Sequence, residues 1–208
     1  GVGENFNPEI GFVPRKDYVF LSPSFQYKFL PKSGSINTHG PGIDYEFYNN
    51  KENGVTDYDI DIDYNFSFRS DASLTLKSNT LFTKLLYDFD PSRSDGIALP
   101  AQSEYNYTNY TFYFRTSQRK LFSFRLNGKV GDFFNGKINN VGGTMTYKFP
   151  PFLNIEIGSQ YNNLKFPEPY SSAKFFSLNS KFNISFSKDL FFSTYLQYNN
   201  QLDNINLN

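Results

Sequence analysis

Residues 57–68 restrict the fold more than any other part of the chain. Tyr58, Ile60, Ile62, Tyr64, Phe66 and Phe68 alternate with Asp57, Asp59, Asp61, Asp63, Asn65 and Ser67. Successive side chains of a strand point to opposite faces, so one face here is wholly apolar and the other wholly polar. A helix would scatter the same residues around its axis. The segment therefore reads as a strand that separates two different media.

The pattern recurs. Phe176, Leu178, Phe182, Ile184 and Phe186 alternate with Ser177, Asn179, Lys181, Asn183 and Ser185. Val19, Leu21, Phe25, Tyr27 and Phe29 form a third run, Phe122, Phe124, Leu126 and Val130 a fourth, and Leu153, Ile155, Ile157 and Tyr161 a fifth. Counted with weaker runs, there are about ten strands of roughly 9–14 residues. Strands of soluble proteins average about 5–6 residues, whereas a strand crossing a bilayer at a tilt needs about 9–11. The expected fold is all-β: an antiparallel transmembrane β-barrel, with residues 1–16 as a lead-in and residues 17–208 as barrel strands.

Composition supports that reading. Aromatics make up 20% of the chain, with 25 Phe and 16 Tyr, yet hydrophobic residues reach only 38%. Mean hydropathy is −0.53. A soluble core is filled mainly by aliphatic side chains. Here Asn, Ser, Asp and Lys interleave with rings, and averaging hides the apolar face, as it does in barrel strands. A soluble β-sheet protein is the structural alternative, and it would have to bury all these alternating rings. The formal net charge of +0 gives no bulk attraction to nucleic acid. With no cysteine, thiolate metal sites, cysteine nucleophiles and disulfides are excluded. No run of about 18 apolar residues is present to form a membrane helix.

The connections fall into two alternating sets. Residues 31–35, 69–72, 117–120, 150–151 and 187–189 read as short turns. Residues 49–54, 88–102, 132–136 and 162–171 are mostly longer and rich in Asn, Gly, Pro and Asp. Outer-membrane barrels have short periplasmic turns and longer outer loops. The Asn135-Gly136 pair is a tight-hairpin signal even within the longer set. This count places both ends of the chain outside, and residues 203–208 show no closing aromatic strand. The segment is therefore expected to be internal to a larger barrel, lacking at least one strand on either side.

The candidate site is an acidic strip. Asp57, Asp59, Asp61 and Asp63 share one face of one strand, and Asp44 and Glu46 are expected beside them from the neighbouring strand. Such a strip in a lumen attracts cations or orients a polar solute. The alternative is a hydrated wall neutralised by Lys28, Lys77, Arg125 or Lys129. A calcium loop does not fit, because the required Gly and distal Glu are missing and parallel side chains about 6.7 Å apart do not converge on one ion. Tyr58, Ile60, Ile62, Tyr64, Phe66, Phe176, Leu178, Phe182 and Ile184 are expected to face lipid. The tyrosines at 45 and 48, at 105, 107, 110 and 113, and at 195 and 198 read either as an interfacial girdle or as stacking platforms in the mouth. His39 is the only histidine, with Asn37 two residues before it; no nucleophile motif accompanies it, and no catalytic residue, cofactor or metal site is expected.

The stretch Asn5, Phe6, Asn7, Pro8, Glu9, Ile10, Gly11, Phe12, Val13, Pro14, Arg15 resembles a motif of a family of Bacteroidota outer-membrane proteins. So do Ile97 to Ala101 with Glu104 and Tyr105, Thr116 to Arg119, Gly131 to Gly136, and Gln197 to Asn199. Members of that family are barrels of unknown function, and the long ones carry an N-terminal β-sandwich like a carbohydrate-binding module. The resemblance implies an outer-membrane location and a possible glycan link through that sandwich, which has no counterpart in these residues. Arg15 and Arg119 fall in the family-like motifs and are expected to pair with carboxylates. The expected function is a non-catalytic pore or scaffold for transport or surface assembly, with the lipid bilayer and other surface proteins as partners. The alternative is a surface protein anchored by the barrel that captures glycan or a partner through residues 88–102 and neighbouring loops.

Overall fold

The computed structural model describes residues 18–200 and 204–207; residues 1–16, with Arg15, lie outside the described residues. Long alternating runs became long strands. In chain order they are β1 (Tyr18–Leu21), β2 (Ser24–Gln26), β3 (Ile36–Asn50), β4 (Gly54–Phe68), β5 (Ser73–Lys84), β6 (Glu104–Arg115), β7 (Phe122–Phe133), β8 (Gly136–Phe149), β9 (Leu153–Lys165), β10 (Ala173–Ser185), β11 (Phe191–Asn199) and β12 (Asn204–Leu207). All lie in one antiparallel sheet. Each strand from β3 onward pairs with the next, and β1 and β2 both pair with β3. No helix occurs among the described residues. β1 and β12 form the two edges and do not pair with each other, so the sheet is open among the described residues, as expected of a segment of a larger barrel.

Twelve elements replace the expected ten for two reasons. The first expected strand is split around Pro23, which has no N–H for the ladder. Its continuity survives: Tyr45 N donates to Pro23 O, Tyr27 N to Pro41 O and Phe29 N to His39 O. At the other end, the tail expected to form no strand pairs as β12, with Ile205 opposite Tyr198 and Leu207 opposite Leu196.

The two sets of connections are less distinct than expected. The turns at residues 51–53 and 134–135 are as tight as those of the short set, and only residues 85–103 and 166–172 are longer. In the tightest hairpin Phe133 pairs with Gly136, so Phe134 and Asn135 form the turn rather than Asn135 and Gly136. Phe134 accepts a left-handed φ of 52°, costly for a bulky residue. Its ring lies 5.5 Å from those of Phe89 and Tyr105 and 5.3 Å from that of Tyr107, and this packing offsets the strain. Gly136 is in the ladder opposite Phe133, and a side chain there would collide with Lys165 O.

From β4 to β10 register carries the two-faced pattern across the sheet, while the β3–β4 pairing shifts register at Ile36/Thr38 and at Tyr48/Asn49. Tyr64 lies opposite Leu76, Leu76 opposite Phe112, and Phe112 opposite Gly128. The same row continues through Val141 and Tyr161 to Phe176. One residue along, Asp63, Lys77, Thr111, Lys129, Asn140 and Asn162 form a row on the other face.

Candidate functional site: the polar face of the sheet

The side-chain distribution is inside out. On β6, Asn109 is 1% and Tyr107 7% exposed, whereas Tyr110, next to Asn109, faces out at 59%. Asp63, Asn79, Thr111, Ser123 and Thr146 are likewise buried on the polar face, while Ile62, Leu76, Val130, Val141 and Met145 are exposed on the apolar face. No second layer covers either face among the described residues. A one-layer sheet shields one face by curling toward it and by folding connections over it, and this sheet shields the polar one.

The expected lipid-facing residues share the apolar face, as the pairings of β4 and β10 show. That face also carries a charge-free belt. Its Asp, Glu, Lys and Arg residues in the described strands are Lys84, Glu104, Asp132, Lys137, Lys165 and Lys174, all at the strand ends where residues 85–103 emerge. Lys84 pairs there with Glu104 at 3.6 Å, and Lys137 with Asp132.

The acidic strip is assembled on the polar face. Asp44 lies opposite Asp61, Glu46 opposite Asp59, and Asp63 opposite Gly42. Like charges in directly opposed positions repel. Lys77 counters them, its Nζ 2.5 Å from Asp61 Oδ2, and Asn79 donates to Asp61 Oδ1. Ser24 donates to Asp44 at 2.5 Å, and Asn65 donates to Asp63. Asp59 Oδ1 is buried without a hydrogen-bond partner. Gly42 makes room for Asp63, whose Oδ1 would lie 2.5 Å from any Cβ at that position. Of the cations expected to neutralise the strip, Lys77 does so, whereas Arg125 pairs with Glu156 at 3.5 Å. No three carboxylates or imidazoles converge to hold a metal ion among the described residues.

Further round the polar face the charge gives way to amides. Gln160 Nε2 donates to Asn140 Oδ1 at 2.6 Å, Asn140 donates to Asn162, and Asn127 Nδ2 donates to Gln160 at 3.5 Å.

The tyrosines divide between the faces, which neither expected reading covers alone. Tyr45, Tyr110 and Tyr198 lie on the apolar face, and Tyr48, Tyr105, Tyr107, Tyr113 and Tyr195 on the polar face. His39 lies on the apolar face, stacked between Phe29 at 5.1 Å and Phe66 at 6.1 Å, with Nδ1 2.7 Å from the Tyr64 hydroxyl. Arg119 Nε lies 3.5 Å from Asp71 Oδ2 across neighbouring turns, a single contact with a carboxylate.

The sequence reading missed the fold of residues 85–103. It treated most of them as an outer loop, but they fold back over the polar face. Leu85 N donates to Ser103 O, and Phe89 and Leu99 exchange both backbone hydrogen bonds. Leu99 is fully buried, and Phe89, Phe133 and Phe134 form an aromatic cluster with Tyr105 and Tyr107. The turn at the tip is held by Asp90, whose Oδ1 accepts from Ser92 N at 2.8 Å and Ser92 Oγ at 2.6 Å, and whose Oδ2 accepts from Ser94 N at 2.9 Å. Burial pushes the Asp90 carboxyl up, but the bonds from Ser92, Ser94 and Gly96 outweigh it and hold the carboxyl below the ordinary aspartate value. Beyond the turn, Gly96 packs against Ser171 in the connection after β9. Pro91 and Arg93 wall a cavity of about 350 Å³ together with Asn162, Phe175, Ser177 and Asn199. The segment is thus a strap from β5 and β6 across to β10. Apolar residues at both its ends, Leu85 and Leu86 against Ile97 and Leu99, were the available signal.

No family model, no curated protein and no solved structure matches the chain.

Proposed function

We propose that this sheet is part of the wall of an outer-membrane β-barrel that serves as a pore or scaffold for transport or surface assembly. The observation that carries the reading is the exposed, charge-free apolar belt backed by a buried polar face. In water that arrangement leaves rings and aliphatic chains unburied at about 25 cal/mol per Å². In a bilayer it is the favourable one, with apolar residues toward lipid and polar residues toward a lumen. Lipid also leaves no sheet edge unpaired, so the reading requires further strands on the edges at β1 and β12. The resemblance to the Bacteroidota outer-membrane family points to the same location. The segment is read as non-catalytic, since His39 is engaged by Phe29, Phe66 and Tyr64 on the apolar face.

The strap favours a second reading, a barrel-anchored binding protein. The cavity between Arg93 and Phe175 is lined by a ring, a guanidinium and the side-chain amides of Asn162 and Asn199, groups of the kind that contact a polar ligand such as a glycan. One experiment separates the two. Full-length protein purified in detergent is tested for heat-modifiable gel mobility and then for conductance in planar bilayers. Heat-modifiability with steady conductance steps supports a pore. Heat-modifiability without conductance supports a filled barrel that binds or scaffolds. A protein that stays soluble in buffer without detergent overturns both.

A further inference from the structure

The charges of the polar face are segregated. Asp44, Glu46, Asp57, Asp59, Asp61 and Asp63 occupy two adjacent strands, β3 and β4, with Lys77 of β5 beside them. From β6 to β11 the polar face carries Arg115, Arg125, Lys129, Lys148 and Lys181, with Glu156 as its one carboxylate among the described residues. The amides of Asn127, Asn140, Asn162 and Gln160 lie among these basic strands. Unlike charges are therefore not interleaved along each strand, as simple neutralisation of a hydrated wall would arrange them. One side of the wall is acidic and the other basic.

We infer that this face selects small zwitterionic solutes, such as amino acids, over neutral solutes of the same size; the inference rests on the pore reading above. When the sheet curls around its polar face, the acidic and basic strands confront each other and the field runs across the lumen. A solute with an ammonium at one end and a carboxylate at the other gains at both walls when it turns to match. A neutral polyol gains at neither, and a monovalent ion gains at one wall and is repelled by the other. The acidic side also holds an acceptor that lacks a donor: Asp59 Oδ1 is buried without a partner. An ammonium group supplies three donors and no acceptor.

Liposome swelling with the full-length protein tests this, using β-alanine as the zwitterion and glycerol as a neutral solute of similar size. The expected result is entry of β-alanine several-fold faster than glycerol. Asp57→Asn with Asp59→Asn, or separately Arg125→Gln with Lys129→Gln, brings the two rates together while glycerol entry and heat-modifiable mobility stay unchanged. Equal rates through the unaltered protein, or a preference that survives both double substitutions, overturns the selectivity and leaves the pore intact. Folded protein that admits neither solute overturns the pore reading and the selectivity with it.

Discussion

The two faces of this sheet are built from the same strands by opposite rules. The apolar face is exposed and carries no charge away from one end. The polar face is shielded, holds carboxylates against carboxylates, and is fixed by hydrogen bonds and a strap. The difference is the one that the proposed barrel wall requires, with one face against lipid and the other against water. A single layer with no apolar core has to draw its stability from its ladder and from the two media it touches.

A charge placed on the exposed face is the most severe test of that difference. Ile62→Arg is expected to cost about 2–4 kcal/mol of folding free energy in lipid if it lies near mid-bilayer. Urea titration of folding into vesicles, followed by heat-modifiable mobility, measures it. A cost near zero would mean that this face meets water.

Two glycines of one strand, β7, sharpen the comparison. Gly131 has a φ of +137°, and a Cβ there would lie 2.7 Å from Asn109 Cα and Thr108 O, both backbone. Gly131→Ala is expected to cost about 1–3 kcal/mol, since neither the strain nor the backbone can yield. Gly128 lies on the apolar face, where a Cβ would meet only the ring of Phe112, at 2.4 Å. That ring is free to swing outward, so Gly128→Ala is expected to cost less than about 1 kcal/mol. The same urea titration ranks them, and a reversed order would assign the two positions to the wrong faces.

These cases also show what was legible in the sequence. Period-two alternation placed Ile62, Phe176 and the other lipid-face candidates on one face, and it joined Asp44 and Glu46 to the strip, because alternation and register are local consequences of a strand. The same alternation implies that Tyr45 and Tyr48, three residues apart on one strand, part to opposite faces, and grouping them by residue type passed over that parity. The strap was illegible for a different reason. Leu99 is buried and Phe89 packs on Phe134 of a distant hairpin, and the apolar residues at the two ends of the segment, its one local signal, do not tell which way it folds. Nor did the sequence show that Phe134 would take the left-handed position, because the packing that offsets its strain is tertiary.

Within the polar face, Asp61→Asn is expected to cost more than an exposed carboxylate would but less than about 2 kcal/mol. It removes the charge that holds Lys77 yet leaves an acceptor for Asn79 and eases the repulsion from Asp44. Lys77→Met should cost more, because it leaves Asp61 facing Asp44 without a cation. Measured side by side in the same titration, equal losses would show that the like-charge pair carries no strain.

The smallest effect belongs to the strap. The Asp90 carboxyl sits below its ordinary value in the fold, so the hydrogen bonds from Ser92 and Ser94 favour the ionised form. Their contribution is complete above the ordinary aspartate range and is lost as pH falls through the lowered folded value. Acidification should therefore loosen the turn at residues 90–94 before it disturbs the strands. The amide signals of Ser92 and Ser94 in detergent-solubilised protein report the change, and Asp90→Asn should remove its pH dependence while leaving one side-chain acceptor in place. If those signals instead moved together with amides of β6 and β7, the strap would be part of the wall itself rather than a separate element laid across it.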